Sequence, residues 1–320
     1  MSRDLKVVAI GGGHGLPIAL ESIQKYCDDI TAVATVADDG GSSGRLREEF
    51  GMPPPGDSRN CLVALSNGNI VSQLFQYRFD KGEGLRGHAL GNLIIAALTD
   101  ITGDFEKALS HARELLGAKG QVLPPTKEDI TLCAELEPEG EVCGQCNVAN
   151  RLRPLKSIRL EPPDPEVNTK TVKAIEDADQ IILGPGSLFT SLLPNLLVKG
   201  VCDAIVNSSA QTVFICNTVI QPGETDGFTT KDHLEAIEKH TGKKIVDVMI
   251  ANKMNLDFDS LNELADAKSP PVSISDDLKE DRVTQVIADV VDGNNLSRHD
   301  ADKLGEVLRK VTKKELISRD

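Results

Sequence analysis

The start of the chain constrains its fold more than any other feature. Leu5–Ile10 (LKVVAI), a short β-branched apolar run, empties without a spacer into Gly11-Gly12-Gly13-His14-Gly15. Such a run bounded by glycines reads as a buried parallel strand. Leu16, Ala19, Leu20 and Ile23 then recur at helical spacing up to Tyr26, and Ile30–Val36 (ITAVATV) supplies a second strand. Strand, glycine turn, helix and strand make a βαβ unit with a right-handed crossover. The alternation resumes at Gln180–Leu183 and continues through strands at Ala204–Val206 and Val213–Cys216, a helix at His233–His240 and a strand at Ile245–Ala251. The expected fold class is α/β: a Rossmann-like three-layer α/β/α domain with a mostly parallel sheet.

Residues 40–57, rich in Gly, Ser and Pro, read as a long loop with one helical turn near Arg45–Phe50. A loop of that length inside a compact domain usually carries function. Helices are expected at Ser58–Ser66, His88–Thr99 and Phe105–Leu116, and short polar strands predict a small antiparallel insertion around 130–160. The whole chain, 1–320, then forms one domain with a C-terminal helical segment (about 270–320) that includes an amphipathic, lysine-rich helix at Ala301–Leu316.

Composition narrows the function. A net charge of −14 opposes a general nucleic-acid or membrane-surface binder, which needs a basic face. Low aromatic content removes stacking platforms for single strands. No stretch approaches the ~18–20 apolar residues of a membrane span, and the N-terminus carries no export pattern, so a cytoplasmic protein is expected. Seven scattered cysteines read as reduced thiols rather than a disulfide framework. Cys143 and Cys146, with Cys133 nearby, have the spacing of half a zinc site, but no second pair accompanies them and zinc is not expected. His111, His233 and His240 read as surface residues on helices.

Ligands of open α/β sheets lie beyond the carboxyl ends of the strands, and here those ends are polar and glycine-bearing. Gly12, Gly13, His14 and Gly15 suit an anion approaching backbone amides at a helix start. They fail the G-x-G-x-x-G dinucleotide pattern, since Leu16 follows Gly15, so NAD is not expected; a plain tight turn is the alternative. Asp38 and Asp39 end the second strand and suit Mg²⁺ or a ribose hydroxyl, while Ser42, Ser43 and Arg45 suit phosphate oxygens. The alternative there is a solvated loop. Asp57 opens a helix as either its cap or a functional carboxylate, with Arg59 and Asn60 in the first turn. His88 and Asn92 share a helix face at i, i+4 spacing. Gly186 and Ser187 form a second anion-binding turn.

The segments GGGHGLPIAL, VADDGGSSGRLR, PPPGDSRNCLVAL, GHALGNLIIAAL, GPGSLFTSLLPNLL and CNTVIQPGETDGF resemble the YvcK group of the CofD-like family, known as gluconeogenesis factors, over roughly residues 5–255 and again at Arg298-His299-Asp300. The resemblance has two implications. CofD members are Mg²⁺-dependent 2-phospho-L-lactate transferases that move a phospholactyl group from a guanosine diphosphate donor to a deazaflavin alcohol. The YvcK side implies UDP-sugar binding, of UDP-N-acetylglucosamine or UDP-glucose, in a regulatory protein tied to gluconeogenic growth, cell shape and peptidoglycan homeostasis. This chain carries the YvcK forms of the motifs, so binding and regulation are favoured over transfer. Carried onto these positions, the resemblance implies Gly12, Gly13 and Gly15 at the phosphates and Asp38, Asp39 and Asp57 at Mg²⁺ or the ligand, with Asp57 the catalytic residue should a reaction occur. It adds His88, Asn92, Gly186, Ser187, Asn217, Gln221 and Glu224 to the cleft, with Arg298 closing over it. Some members have Thr after Arg-His-Asp; Ala301 follows here, so regulation through a hydroxyl at that place does not carry over. A homo-oligomer is left open.

Overall fold

The computed structural model describes residues 5–151, 155–253, 269–275 and 283–312. The chain runs β1 (Lys6–Gly11), α1 (Gly15–Ile23), β2 (Asp29–Ala34), α2 (Gly41–Phe50), α3 (Gly56–Ala64), α4 (Ile70–Gln76), α5 (Leu90–Thr102), α6 (Phe105–Leu116) and β3 (Gln121–Leu123). An excursion follows: β4 (Thr131–Leu136), β5 (Glu141–Cys143), α7 (Gln145–Ala149) and β6 (Leu155–Glu161). The second half holds α8 (Thr169–Glu176), β7 (Gln180–Leu183), a π-turn segment Leu188–Leu192 running into α9 (Leu193–Leu196), α10 (Val201–Asn207), β8 (Gln211–Ile215), α11 (Thr230–Thr241) and β9 (Val248–Asn252). Then come β10 (Thr284–Ala288), the hairpin β11 (Val291–Asp292) and β12 (Asn295–His299), and α12 (Ala301–Val311).

Seven strands form one sheet in the order β10-β9-β8-β7-β1-β2-β3, each ladder parallel. Strand alternation sorts the core into two layers. Val8, Ile10, Ile181 and Leu183 face the α8–α11 side, whereas Val7, Ala9 and Ile182 face α1, α3, α6 and α12. β4, β5 and β6 make the small antiparallel sheet. The Rossmann-like three-layer architecture and the insertion are therefore present as expected. Among the described residues no single helix is long and apolar enough to cross a membrane.

Five expectations need correction. The loop at 40–57 contains a ten-residue helix, α2, which ends at left-handed Gly51. It buries Ser42, Ser43, Gly44 and Leu46, so it lacks the apolar stripe by which helices are read. Ala204–Val206 lies in α10, not a strand: Val201, Cys202, Ala204 and Ile205 form one buried helical face between parallel strands that need a crossover. The segment about 270–320 is not helical throughout. Its β-rich stretch Thr284–Ala288 adds β10 to the open sheet edge, β11 and β12 pair, and only α12 is helical; 276–282 and 313–320 lie outside the described residues. α12 rests closely on α1 because Gly305 faces the Ser22 carbonyl, which an added Cβ would approach to 2.7 Å.

The register of β4 on β5 sets Cys133 opposite Cys143, and the two form a disulfide, which corrects the reading of all seven cysteines as thiols. Strand register, invisible in residue counts, decides that pairing. His233 is buried rather than on the surface, with Nδ1 against the Thr229 carbonyl and the Phe228 ring edge-on, because its helix face turns inward.

Candidate functional site

From β1 the chain winds outward through β2 to β3, then returns to lay β7 on the other flank of β1. Connections leave these two strands in opposite directions, and open parallel sheets hold a crevice at that point. Two glycine turns form its lips, one after β1 and one after β7. They touch: a Cβ on Gly15 would lie 2.1 Å from the Pro185 carbonyl oxygen, so only glycine permits the approach. The crevice opens into a cavity of about 580 Å³, within the roughly 300–1,000 Å³ of small-molecule sites. Gly13, His14 and Gly15 line it at the start of α1, where the helix end is positive; Leu16 already donates to the Gly12 carbonyl and Pro17 has no N–H, so His14 and Gly15 are the amides left to face the cavity.

The opposite wall follows β8. The Gly186 amide donates to Asn217 Oδ1 at 3.2 Å, and Asn217 Nδ2 donates to Gln221 Oε1 at 3.1 Å. The Ser187 hydroxyl donates to Glu224 Oε2, and that of Thr190 to Glu224 Oε1 at 3.0 Å. A carboxylate thus already stands on the turn after β7. In Arg298-His299-Asp300 the work divides. Asp300 caps α12 through the amides of Asp302 and Lys303. Buried His299 donates Nε2–H to the Cys216 carbonyl at 3.1 Å, and burial takes its pKa down to about 4, so it is a neutral tether. Arg298 lines the cavity.

Behind the first turn lies a carboxylate pair. The Gly13 amide donates to Asp57 Oδ2 at 2.9 Å. Burial first, and then the charge of Asp38, raise the Asp57 carboxyl to about 7, against the opposing pulls of the Gly13 amide and Arg59. Asp38 Oδ1 accepts from the Gly40 amide at 2.9 Å. Asp39 turns away: its Oδ1 accepts from the Cys146 amide at 2.8 Å, fastening the insertion to the sheet edge. Next along, Asn92 Nδ2 donates to Ser42 Oγ at 3.0 Å, and Ser42 donates on to His88 Nδ1 at 3.0 Å. Burial first, then the charge of Arg45, lowers the His88 pKa.

A sequence profile described as 2-phospho-L-lactate transferase CofD matches residues 7–291. The chain belongs to the CofD family. Within it, the chain is 43% identical over 305 residues to a protein named gluconeogenesis factor from Halalkalibacterium halodurans, covering 94% of this chain and 95% of that one. A gluconeogenesis factor from Bacillus subtilis is 40% identical over 311 residues, covering 96% and 98%. The fold agrees with a crystal structure of a UPF0052 family protein from Bacillus halodurans, with a TM-score of 0.91, 43% identity and coverage of 96% and 99%.

Of the residues expected from the family motifs, Gly13, His14, Gly15, Gly186, Ser187, Asn217, Gln221, Glu224 and Arg298 line the one cavity. Gly12 lies beneath it, where an added Cβ would meet Asp57 Oδ2 at 2.6 Å. Asn60 lines a more open hollow of about 880 Å³ that shares His14 and Arg298 with the cavity. Asp38, Asp57, Ser42, Ser43, Arg45, Arg59, His88 and Asn92 stand behind the glycine turn rather than on the cavity wall. The sequence reading missed Gln145, Thr190, Ser191, Thr218 and Ser297 on that wall. Thr218 and Ser297 sit inside or beside motifs already singled out; nothing local marks Gln145, which the insertion brings in.

Proposed function

We propose that the cavity binds a nucleotide diphosphate sugar of the UDP-N-acetylglucosamine or UDP-glucose type. On this reading the protein is a regulatory factor for growth on gluconeogenic carbon, cell shape and peptidoglycan homeostasis. The observation that carries the proposal is the arrangement of donors and acceptors across the switch-point crevice. First-turn amides and Arg298 on one side suit a diphosphate. Asn217, Gln221 and Glu224 on the other suit hydroxyl and amide groups, since a carboxylate accepts from hydroxyls and repels phosphate. The family membership and the relatives' name, gluconeogenesis factor, support the cellular role.

A second reading, group transfer from a nucleotide diphosphate donor, draws on the Asp38–Asp57 pair. Two mutually repelling, half-buried carboxylates offer the hard oxygen donors that suit Mg²⁺. Asp38 and Asp57 would hold it, and when bound it supplies positive charge to phosphate oxygens beside Gly13. Asp39 accepts the Cys146 amide on Oδ1 and would offer its other oxygen to the same ion.

Calorimetric titration with UDP-N-acetylglucosamine and with GDP, each with and without Mg²⁺, tests both readings. UDP-sugar binding without turnover is the expected result. Binding of neither nucleotide overturns the site, and GDP binding with phospholactyl transfer to a deazaflavin alcohol overturns the regulatory reading.

A further inference from the structure

A basic cluster stands one contact beyond the carboxylate pair, in a chain of net charge −14. It is built on the loop that leads into α5. Arg45 of α2 donates from Nη2 to the Arg86 carbonyl at 2.9 Å, and Arg78 donates from Nη1 to the Gly87 carbonyl at 2.6 Å. Arg59 of α3 is buried and donates from Nη2 to Asn60 Oδ1 at 2.8 Å. Glycines make the room: a Cβ on Gly87 would lie 3.2 Å from Arg45 Nη2, and one on Gly91 2.9 Å from Arg59 Cδ. His88, between them, feels the charges of both Arg45 and Arg78, and Arg59 feels that of Arg78.

Among the described residues none of these three guanidinium groups forms an ion pair. Arg59 is buried, Arg45 half-buried and Arg78 exposed; their hydrogen bonds run to neutral acceptors, which leaves further N–H donors of Arg45 and Arg78 open to a ligand. The carboxylates of Asp57 and Asp38 act on Arg59, and that of Glu49 on His88, without an ion pair to either. Two buried polar atoms beside the cluster also lack a partner: Arg59 Nε, and Oδ1 of Asn92, which follows the Gly91 that faces Arg59. Gathering like charges and burying an unmatched guanidinium both oppose folding. A bound anion reverses both costs.

We infer that Arg45, Arg59, Arg78 and His88 form a second anion subsite, separate from the nucleotide cavity, that receives the phosphate monoester of a second small ligand. Three guanidinium groups beside the His88 ring match a tetrahedral dianion with three free oxygens; a carboxylate needs only one guanidinium fork. A polyanion is disfavoured by the net charge of −14. The carboxylate pair stands between the two sites, linked to the cavity through the Gly13 amide and to the cluster through the field at Arg59. Two ligands would therefore present their phosphates to opposite sides of Asp38 and Asp57.

The test titrates inorganic phosphate into the full-length protein, both free and saturated with UDP-N-acetylglucosamine. Arg78→Gln and Arg45→Gln are compared with wild type, with circular dichroism and thermal melting to verify the fold and Arg78→Lys as partial rescue. Millimolar or tighter binding is expected, roughly as strong with the cavity filled, and weakened about tenfold or more in either Gln variant. The UDP-sugar affinity should stay within about twofold. No phosphate binding, equal binding in the variants, or displacement of phosphate by the UDP-sugar each overturns the inference. So does a tenfold loss of UDP-sugar affinity in folded Arg78→Gln, since that means a single ligand spans both places. Phosphate binding to the free protein is read even if the UDP-sugar proves not to bind, so failure of the cavity reading and failure of this one are distinguishable.

Discussion

Asp57→Asn should raise the stability of the free protein, and by more as the pH rises. The carboxyl moves from an ordinary 3.8 in the unfolded chain to about 7 in the folded one, through burial and the neighbouring Asp38. A raised folded-state pKa favours the native state at low pH, and that advantage is lost as pH climbs through the folded value. Linkage over these two values gives a penalty of roughly 2 kcal/mol at pH 5 and roughly 4 kcal/mol at pH 8. Asparagine carries no charge and its oxygen can still accept from the Gly13 amide, so the variant escapes most of the penalty. Urea unfolding of both proteins at pH 5 and pH 8, without divalent ions, should show the variant's advantage widening by roughly 2–3 kcal/mol. Titrating groups remote from Asp57 are shared and cancel in the difference, and the relief of Asp38 adds to the variant's advantage in the same direction. A difference that does not change between the two pH values would refute the burial of an ionisable Asp57 against Asp38.

Three further outcomes follow from the same geometry. Arg298→Ala should weaken UDP-sugar binding about 10- to 100-fold, the loss of roughly 1.5–3 kcal/mol of charge-assisted hydrogen bonding, with an unchanged melting temperature; equal affinity by calorimetry removes Arg298 from the ligand. Gly15→Ala should destabilise the fold by roughly 1–3 kcal/mol as well as abolish binding, because its Cβ meets the Pro185 carbonyl; a wild-type melting curve contradicts the contact between the turns. UDP-sugar binding at pH 7 without metal should take up a fraction of a proton, since an anion near the Gly13 turn pushes Asp57 further up. Calorimetry in buffers of different ionisation enthalpy measures this, and proton release there would contradict it.

The parallel sheet was legible because its central strands are mostly apolar and two of them run into glycine: Lys6–Gly11, Asp29–Ala34 and Gln180–Leu183 differ little from the runs read in the sequence. α2 and α10 were harder for opposite reasons. α2 buries small polar residues and shows no apolar period, while α10 is short and apolar enough to pass for a strand. The site's long-range contacts were not legible at all. Nothing local tells that Asp57 reaches the Gly13 amide across 44 residues, or that Asp39 turns to the Cys146 amide across 107 while its neighbour Asp38 does not. Adjacent carboxylates look equivalent in a sequence; the register of the insertion against the sheet edge separates them.

Those contacts also change what the recurrent glycines mean. In the sequence, each polar glycine-bearing turn invites the same reading, an amide cradle for phosphate. In the fold, Gly12 clears space for Asp57, Gly15 for the Pro185 carbonyl and Gly91 for Arg59 and the Phe75 carbonyl. Their common task is to let loops from distant parts of the chain approach to backbone distance. That approach locks the carboxyl edge of the sheet into one rigid rim. A rim held in that way keeps the start of α1 and the Asp38–Asp57 pair in fixed relation before any ligand arrives. The ordering cost of binding then falls on the ligand rather than the protein. Function in such a site is concentrated in the few polar groups that the loop-to-loop contacts leave uncommitted, and those are the groups whose replacement should alter binding without altering the fold.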